Sequence, residues 1–390
     1  MIFAKKIIIK YHEFMNGIIY DTLYGKIPYT DLDLKIFASP EMARLRRVSL
    51  STVPNWCSAS GACCSRFEHS IGAWHLAKLV ARKPEFANIA KDIEFAGLFH
   101  DAGSPPFSHG ADHFQKKILG KKHDEIVADL IMGSALGKEI ESQGGNPEVI
   151  SKLISGTFPP FSDLINNSID LDNLDNTLRF GLSMGIFKKR YYNPLRIADN
   201  FYLKSGELAL RSSKNIREWE NCREIVYDFI NNKYPEGMIY RAMHLAYRAG
   251  DLTKDFFRLD DFQATAFLKK CNPGTKRIIE RLESWDFDKV IFSQNFLSLD
   301  KIEPRMIDDP DYRFILADRI SSEFKIPPED ISCLAGKNKG FKQIHLPIGR
   351  EFHQPQTKPS WRLRIDVNKK WLYLKKEINH FVKQRLTNGN

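Results

Sequence analysis

Cysteine is scarce: there are six in 390 residues, at 57, 63, 64, 222, 271 and 333, and none forms a CxxC pair. That excludes a disulfide-stapled scaffold and a thiolate zinc site. Adjacent Cys63 and Cys64 bridge poorly, so free thiols in a reducing cytoplasm are expected. Long apolar runs are also missing. No stretch nears the roughly 20 apolar residues that cross a bilayer, and Lys10 interrupts the opening MIFAKKIIIKYHEF, so neither a membrane span nor a signal peptide is expected. There is no internal repeat and no low-complexity tract. Strand signals are few, confined to the neighbourhood of Ile7 and to 343–348 and 362–367.

What is present suffices for a large core. The chain is 43% hydrophobic, 12% aromatic and 27% charged, which argues against disorder and against a coiled coil. Its 390 residues exceed the usual single domain, so one large domain with an appendage, or two domains, is expected. Apolar residues recur at three- and four-residue steps over 70–82, 93–102, 123–132, 168–182, 215–231, 240–251 and 259–270, each read as a helix. Pro- and Gly-containing breaks at 144–148, 156–163, 271–274, 303–311, 326–330 and 353–360 separate them. The expected fold is mainly α: a helical core over 1–270 and a smaller α+β segment over 271–390.

The net charge of +10 is local. Residues 336–390 carry 13 Lys and Arg against 3 acids, so the preceding 335 residues are neutral overall. A polyanion partner such as nucleic acid would therefore be met at that end. Within it, Trp371, Leu374, Ile378, Phe381 and Val382 share one side of a predicted amphipathic helix, to be covered by the protein's own body or by a second copy. The segment is expected to be an interaction element apart from the chemical centre.

Three motifs carry chemistry: RFEHS (66–70), LFHDAGSPPFSHGADHF (98–114) and IDLDNLDNTLRF (169–180). They supply His69, the pair His100-Asp101 and Asp172, a nitrogen and oxygen set suited to a divalent metal ion: Mn, Fe, Co, Ni, Zn or Mg. Gly103 and Pro105-Pro106 end the helix just after His100 and Asp101, so both side chains project from one helix end. A metal-activated water attacking a phosphoester needs a proton donor for the leaving oxygen. His109 and His123 are the candidates, with Asp112 orienting one of them on a helix that Ser108 caps. In 169–180, Leu171, Leu174 and Leu178 form a packing stripe, and Asp172, Asp175 and Arg179 form a second stripe about 100° round the axis.

These motifs, with DTLYGKIPYTD from Asp21 and SPEMARLRR over 39–47, resemble the HD-domain phosphohydrolases, and within them the deoxynucleoside-triphosphate triphosphohydrolases. The likeness fades after about residue 270. It implies metal ligation by His69, His100, Asp101 and Asp172, and a catalytic centre lined by His109, Asp112 and His123. It also implies nucleotide contacts from Arg66 and Tyr247, and a homo-oligomer. The chain departs from the family at three places. Ser104 stands where a second histidine approaches the phosphate. SLSTVPNW replaces a Gln-Leu-Gly that closes on the deoxyribose, and Asp175-Asn176 with Arg179-Phe180 replaces an Asp-Tyr with Arg-Asp that reads the sugar. The expected function is metal-dependent hydrolysis of a nucleotide phosphoester with altered sugar recognition. The alternatives are a nuclease or phosphodiesterase gripping nucleic acid through the basic end, and a nucleotide-binding regulator without turnover, prompted by Ser104.

Overall fold

The helical periodicity is realised in the structure, a computed structural model that describes residues 17–58, 64–233, 235–297, 309, 311–340, 342–349 and 360–388. The strand signal near Ile7 and Cys63 lie outside the described residues. A hairpin of β1 (Gly17–Asp21) and β2 (Gly25–Tyr29) leads into α1 (Asp31–Phe37) and α2 (Pro40–Leu45). The helical body follows: α3 (Arg66–Ala81), α4 (Ala90–Phe99), α5 (Asp112–Leu119), α6 (His123–Ile131), α7 (Ala135–Ser142), α8 (Pro147–Ile154), α9 (Leu171–Ser183) and α10 (Pro194–Ala198). A second hairpin, β3 (Phe201–Lys204) and β4 (Glu207–Leu210), precedes α11 (Ile216–Lys233), α12 (Glu236–Arg248), α13 (Asp261–Cys271) and α14 (Pro273–Glu283). The remainder comprises β5 (Lys289–Phe296), α15 (Tyr312–Glu323), β6 (Ile331–Lys337), β7 (Trp361–Val367) and α16 (Lys375–Asn388).

Three apolar clusters organise these elements. In the first, Trp74 and Leu76 of α3, Phe99 of α4 and Leu171, Leu174 and Leu178 of α9 are buried together, so the predicted leucine stripe of α9 does pack. The second joins Phe114 of α5 to α12, α13 and α14. The α13–α14 hairpin straddles residue 270, and its Leu268, Ile278 and Leu282 all belong to this cluster. The third lies between the antiparallel sheet β5–β7–β6 and the helices α15 and α16. There Ile378 and Val382 are buried, with Trp371, Leu374 and Phe381 packed alongside, so the protein's own sheet covers the apolar side of α16.

Three local expectations are corrected. Helix α3 starts at Arg66 rather than at 70, because Ser65 and Glu68 form a capping box: the Ser65 hydroxyl accepts from the Glu68 N–H and the Glu68 carboxylate accepts from the Ser65 N–H at 2.8 Å. That extra turn places both Arg66 and His69 on the helix. Residues 343–348 are not a strand. Ile344, Leu346 and Ile348 do alternate inward, but the ladder is a single bridge between Ile348 and Leu210. Ser108 does not cap α5. It lies in a one-turn 3-10 segment, where Phe107 and Ser108 have left-handed backbones (φ 62° and 54°) and Ala111 is the cap residue.

Candidate active site

Helices α3, α4 and α9 meet where the first apolar cluster ends, and each contributes to one polar cluster. His69 comes from α3. His100 closes α4, Asp101 follows it, and Asp172 opens α9. His69 is fully buried and its Nδ1–H donates to Asp175 at 2.8 Å. The Nδ1–H of His100 donates to the Gly97 carbonyl at 2.9 Å. With both Nδ1 atoms donating, both Nε2 atoms present lone pairs, and they stand 3.0 Å apart. Asp172 Oδ1 is 2.9 Å from the His69 Nε2 and 3.7 Å from the His100 Nε2, while Asp101 Oδ2 is 3.5 and 3.4 Å from them.

Four acceptor atoms so close repel one another unless a cation or proton lies among them. Donors at about 2.1 Å from one divalent ion stand about 3 Å from each other, so this donor set fits such an ion. The electrostatics agree. Burial alone would depress the His69 imidazolium, but the Asp172 and Asp175 carboxylates outweigh it and push its pKa up to about 9, a measure of how strongly positive charge is favoured at that nitrogen. Asp101 and Asp172 are held well below the usual carboxylate range despite their burial, Asp101 chiefly by Arg66 and Asp172 chiefly by His69.

A ring of supports fixes these groups. Asp175 accepts from Arg179 Nε and Nη2 at 2.7 and 2.9 Å and from the Tyr24 hydroxyl at 2.9 Å, and Arg179 reaches Asp21 at 2.8 Å. Gly72 makes room for this assembly, since a Cβ there would fall 2.0 Å from Asp175 Oδ2. Ser104, expected near the phosphate, is buried and donates to Asp101 Oδ1 at 3.1 Å. Asp175 and Arg179, expected to contact substrate, are buried behind His69 instead, because each spends its charge on the other. Arg66 is buried against Asp101, with its Nε donating to Ser108 and its Nη2 to the Leu50 carbonyl. Asn176 donates to Asp172 at 2.7 Å.

Beside this cluster lies a second one. His109 Nδ1–H donates to Asp112 Oδ2 at 2.9 Å, His123 Nδ1 is 3.4 Å from Asp112 Oδ1, and the two imidazole centroids are 5.0 Å apart. The structure thus brings His109, Asp112 and His123 together. One carboxylate serves two imidazoles whose surroundings differ. Desolvation and the nearby Arg66 cation hold His109 below its ordinary pKa. For His123, Asp112 outweighs desolvation and raises the pKa. His109 is the more open, its side chain 45% exposed against 23% for His123.

The backbone that carries these groups is anchored by residues outside both clusters. Arg44 donates to the Ala102 and Ser104 carbonyls at 3.1 and 2.6 Å, bracing the turn after Asp101. Buried Asp261 accepts from the Phe107 and Ser49 N–H groups at 2.8 and 2.9 Å and holds the left-handed turn; burial pushes its pKa up to about 6. Gly103 lets α6 approach, because a Cβ there would sit 2.1 Å from the His123 carbonyl oxygen. Gly103→Ala is therefore expected to push His123 away from Asp112 and lower activity at least tenfold with metal still bound. Thermal unfolding and a metal assay on the same sample check this; an unchanged rate would show that the close approach is not needed.

A cavity of about 240 Å³ opens on Arg66, Ser108, His109, Asn176 and Phe180. Its opposite wall comes from Tyr227, Glu236 and Tyr240 and, unexpectedly, from Arg313, Lys337, Lys339 and Arg362 of the C-terminal segment. Part of the basic end thus belongs to the site it was expected to stand apart from. Tyr247, expected over the substrate, packs on the second apolar cluster instead, its ring 5.6 Å from Phe114. Its neighbour on the same helix, Tyr240, faces the cavity. Seven residues is close to two helical turns, so periodicity alone does not separate the two.

The comparisons agree with this geometry. The HD domain family model matches residues 66–179, the span from Arg66 to Arg179 that holds both clusters. An uncharacterized protein from Methanocaldococcus jannaschii is 25% identical over 317 residues, 77% of this chain and 65% of its own length. The deoxynucleoside triphosphate triphosphohydrolase SAMHD1 of Mus musculus is 34% identical over 259 residues, 55% of this chain and 39% of its own length. The chain thus spans less than two thirds of these relatives. Two crystal structures share the fold at 18% identity. A hypothetical protein from Aquifex aeolicus has a TM-score of 0.68, with 93% of this chain and 99% of that one covered. A phosphohydrolase from Bacteroides thetaiotaomicron has a TM-score of 0.61, with 91% and 100% covered.

Proposed function

We propose that this chain, which carries an HD domain over residues 66–179, is a metal-dependent phosphohydrolase acting on a nucleotide, with triphosphates the first class to test. The observation that carries this reading is the pair of buried imidazole Nε2 atoms 3.0 Å apart and flanked by Asp101 and Asp172. His69, His100, Asp101 and Asp172 would hold a divalent ion, which when bound supplies an activated water and neutralises a phosphoryl oxygen. The chain's own residues do the rest. Arg179 and Tyr24 fix Asp175, and Asp175 fixes the His69 tautomer. Asp112 positions His123, whose pKa it raises, to protonate a leaving oxygen, and His109, whose pKa desolvation and Arg66 lower, to accept a proton.

Similarity to SAMHD1 of Mus musculus supports a nucleotide substrate. The sugar is a different matter, since Asn176 is committed to Asp172 and apolar Phe180 lines the cavity. Without a hydroxyl-directed group free at those two positions, discrimination between the sugars weakens. Ribo- and deoxyribonucleotides are therefore expected to be hydrolysed at rates within about tenfold of each other. Three cations of the basic end are paired internally, Arg364 with Asp366, Lys370 with Asp330 and Lys369 with Asp286, and Lys337, Lys339 and Arg362 line the cavity. That favours hydrolysis of a small molecule over the grip of a nuclease on a long strand. The test is a product assay over nucleotides and oligonucleotides with added Mn²⁺ or Mg²⁺. Phosphate or tripolyphosphate release from nucleotides supports the proposal, and shortened oligonucleotides alone, or no turnover with metal bound, overturn it.

A further inference from the structure

The cavity is lined by four cations that have no carboxylate partner among the described residues, although Arg362 donates to Asn232 and Ser293 and Arg313 lies over the Tyr240 and Phe314 rings. Lys337 and Lys339 follow directly in and after β6, Arg362 lies in β7 and Arg313 in α15. Among the described residues the Lys337 and Lys339 ammonium groups have no hydrogen-bond or ion-pair partner, and the Nε donors of Arg313 and Arg362 are buried without an acceptor. Unsatisfied buried donors are costly unless a ligand meets them. The lining holds one carboxylate, Glu236, whose pKa burial raises, against these four cations.

Lys339 is the best placed of the four. Desolvation would lower its pKa, yet the hydroxyls of Tyr240 and Tyr227, Glu236 and Asp112 raise it, and its side chain lines the same cavity as His109. Its backbone is pinned. Arg223, buried between the Trp219 and Tyr227 rings, donates from Nη2 to the Lys339 carbonyl at 2.9 Å and from Nη1 to Asn173 of α9 at 2.8 Å. One guanidinium therefore ties the loop after β6 to the helix that carries Asp172. The C-terminal segment is held in register with the metal cluster rather than draped over it.

We propose that Lys339, with Lys337, Arg313 and Arg362 around it, is a subsite for the phosphate chain of the substrate, supplied from outside the HD domain. The chemical class it takes is a linear polyphosphate: several adjacent anionic oxygens meet several fixed cations, whereas a monophosphate reaches fewer of them. This rests on the phosphohydrolase reading for its place in a reaction, but not for its binding chemistry.

The test uses the full-length, metal-loaded protein and inorganic tripolyphosphate as the probe. Lys339→Met keeps the length of the side chain and removes the charge; since the ammonium has no hydrogen-bond or ion-pair partner among the described residues, no loss of folding is expected. Tripolyphosphate should bind about tenfold or more weakly to this variant. The affinity should also depend less steeply on salt, KM for a triphosphate substrate should rise with little change in kcat, and metal content should be unchanged. Lys339→Arg should restore most of the affinity, and Lys376→Met, on exposed α16, should match the parent. Equal tripolyphosphate binding by the parent and Lys339→Met overturns the subsite and leaves the hydrolase reading standing. Lys339-dependent binding without turnover of any phosphoester does the reverse.

Discussion

Asp101→Asn is expected to lose the metal and at least a thousandfold of turnover, and to lose stability as well. The first two follow from position. Asp101 Oδ2 is 3.4 to 3.5 Å from both imidazole Nε2 atoms, and an amide offers a cation no negative charge. The third follows from Arg66, whose buried guanidinium has Asp101 as its only carboxylate partner among the described residues. Leaving that charge unpaired costs about 3 kcal/mol. The pH dependence has a definite sign. Burial would raise the Asp101 pKa, but Arg66 and the two histidines hold it well below the usual carboxylate range. A depressed folded-state pKa gives stability that is present above the unfolded value and lost as pH falls through the folded one. The parent should therefore lose this increment only in strong acid, and the variant should lack it at neutral pH.

Asp172→Asn supplies the contrast. Its carboxylate is 30% exposed at the side chain and bonded by Asn176 rather than by a buried arginine, so this variant should lose metal with a much smaller loss of stability. Elemental analysis, and denaturant unfolding of both variants in chelator, check the pair. Full metal retention in Asp101→Asn would remove it from the ligand set.

Much of this centre was legible because its signals are local. His69, His100-Asp101 and Asp172 sit in short motifs, and the two stripes of α9 follow from helical period alone: Leu171, Leu174 and Leu178 are buried while Asp172 faces the two histidines. The capping box at Ser65 was equally readable, though the periodic pattern alone put the start of α3 too late. The supports were not legible. Tyr24, although it lies in DTLYGKIPYTD, reaches Asp175 across 151 positions, and Asp261 reaches Phe107 across 154, so neither partner follows from spacing along the chain. The roles of Ser104 and Arg179 depended on which carboxylate each would bond, Asp101 and Asp175 respectively, which only the packed structure decides. The cationic wall of the cavity is the extreme case. In the sequence Lys337 and Lys339 belong to a basic segment expected to be an interaction element apart from the chemical centre, and only the packed β5–β7–β6 sheet brings them to the cavity that His109 lines. Residues 343–348 failed in the opposite sense: alternation was present, but a strand also needs a neighbour to pair with.

The His109–Asp112–His123 cluster makes a prediction about pH that the metal ligands do not. His123 must be protonated to donate and His109 neutral to accept. The rate should therefore rise as pH climbs through the lowered pKa of His109 and fall as it climbs through the raised pKa of His123, giving a bell whose limbs lie on either side of the ordinary imidazole pKa. Desolvation pulls both imidazoles down. Asp112 opposes it at both, winning at His123 and losing at His109, where Arg66 adds to the desolvation. Asp112→Asn removes that opposition from both at once, so both limbs should move to lower pH. An opposite charge in contact typically shifts a group by about one unit or more. The alkaline limb should then fall toward or below neutrality, and the rate at pH 8 should drop about tenfold or more while the metal stays bound. His123→Ala should lose the alkaline limb altogether, together with about 10² to 10⁴ of the rate. A pH profile of kcat on metal-loaded parent, Asp112→Asn and His123→Ala measures all of this. An alkaline limb that stays in place in Asp112→Asn would mean that His123 is not the proton donor, and the metal-bound water or another group would have to account for the limb.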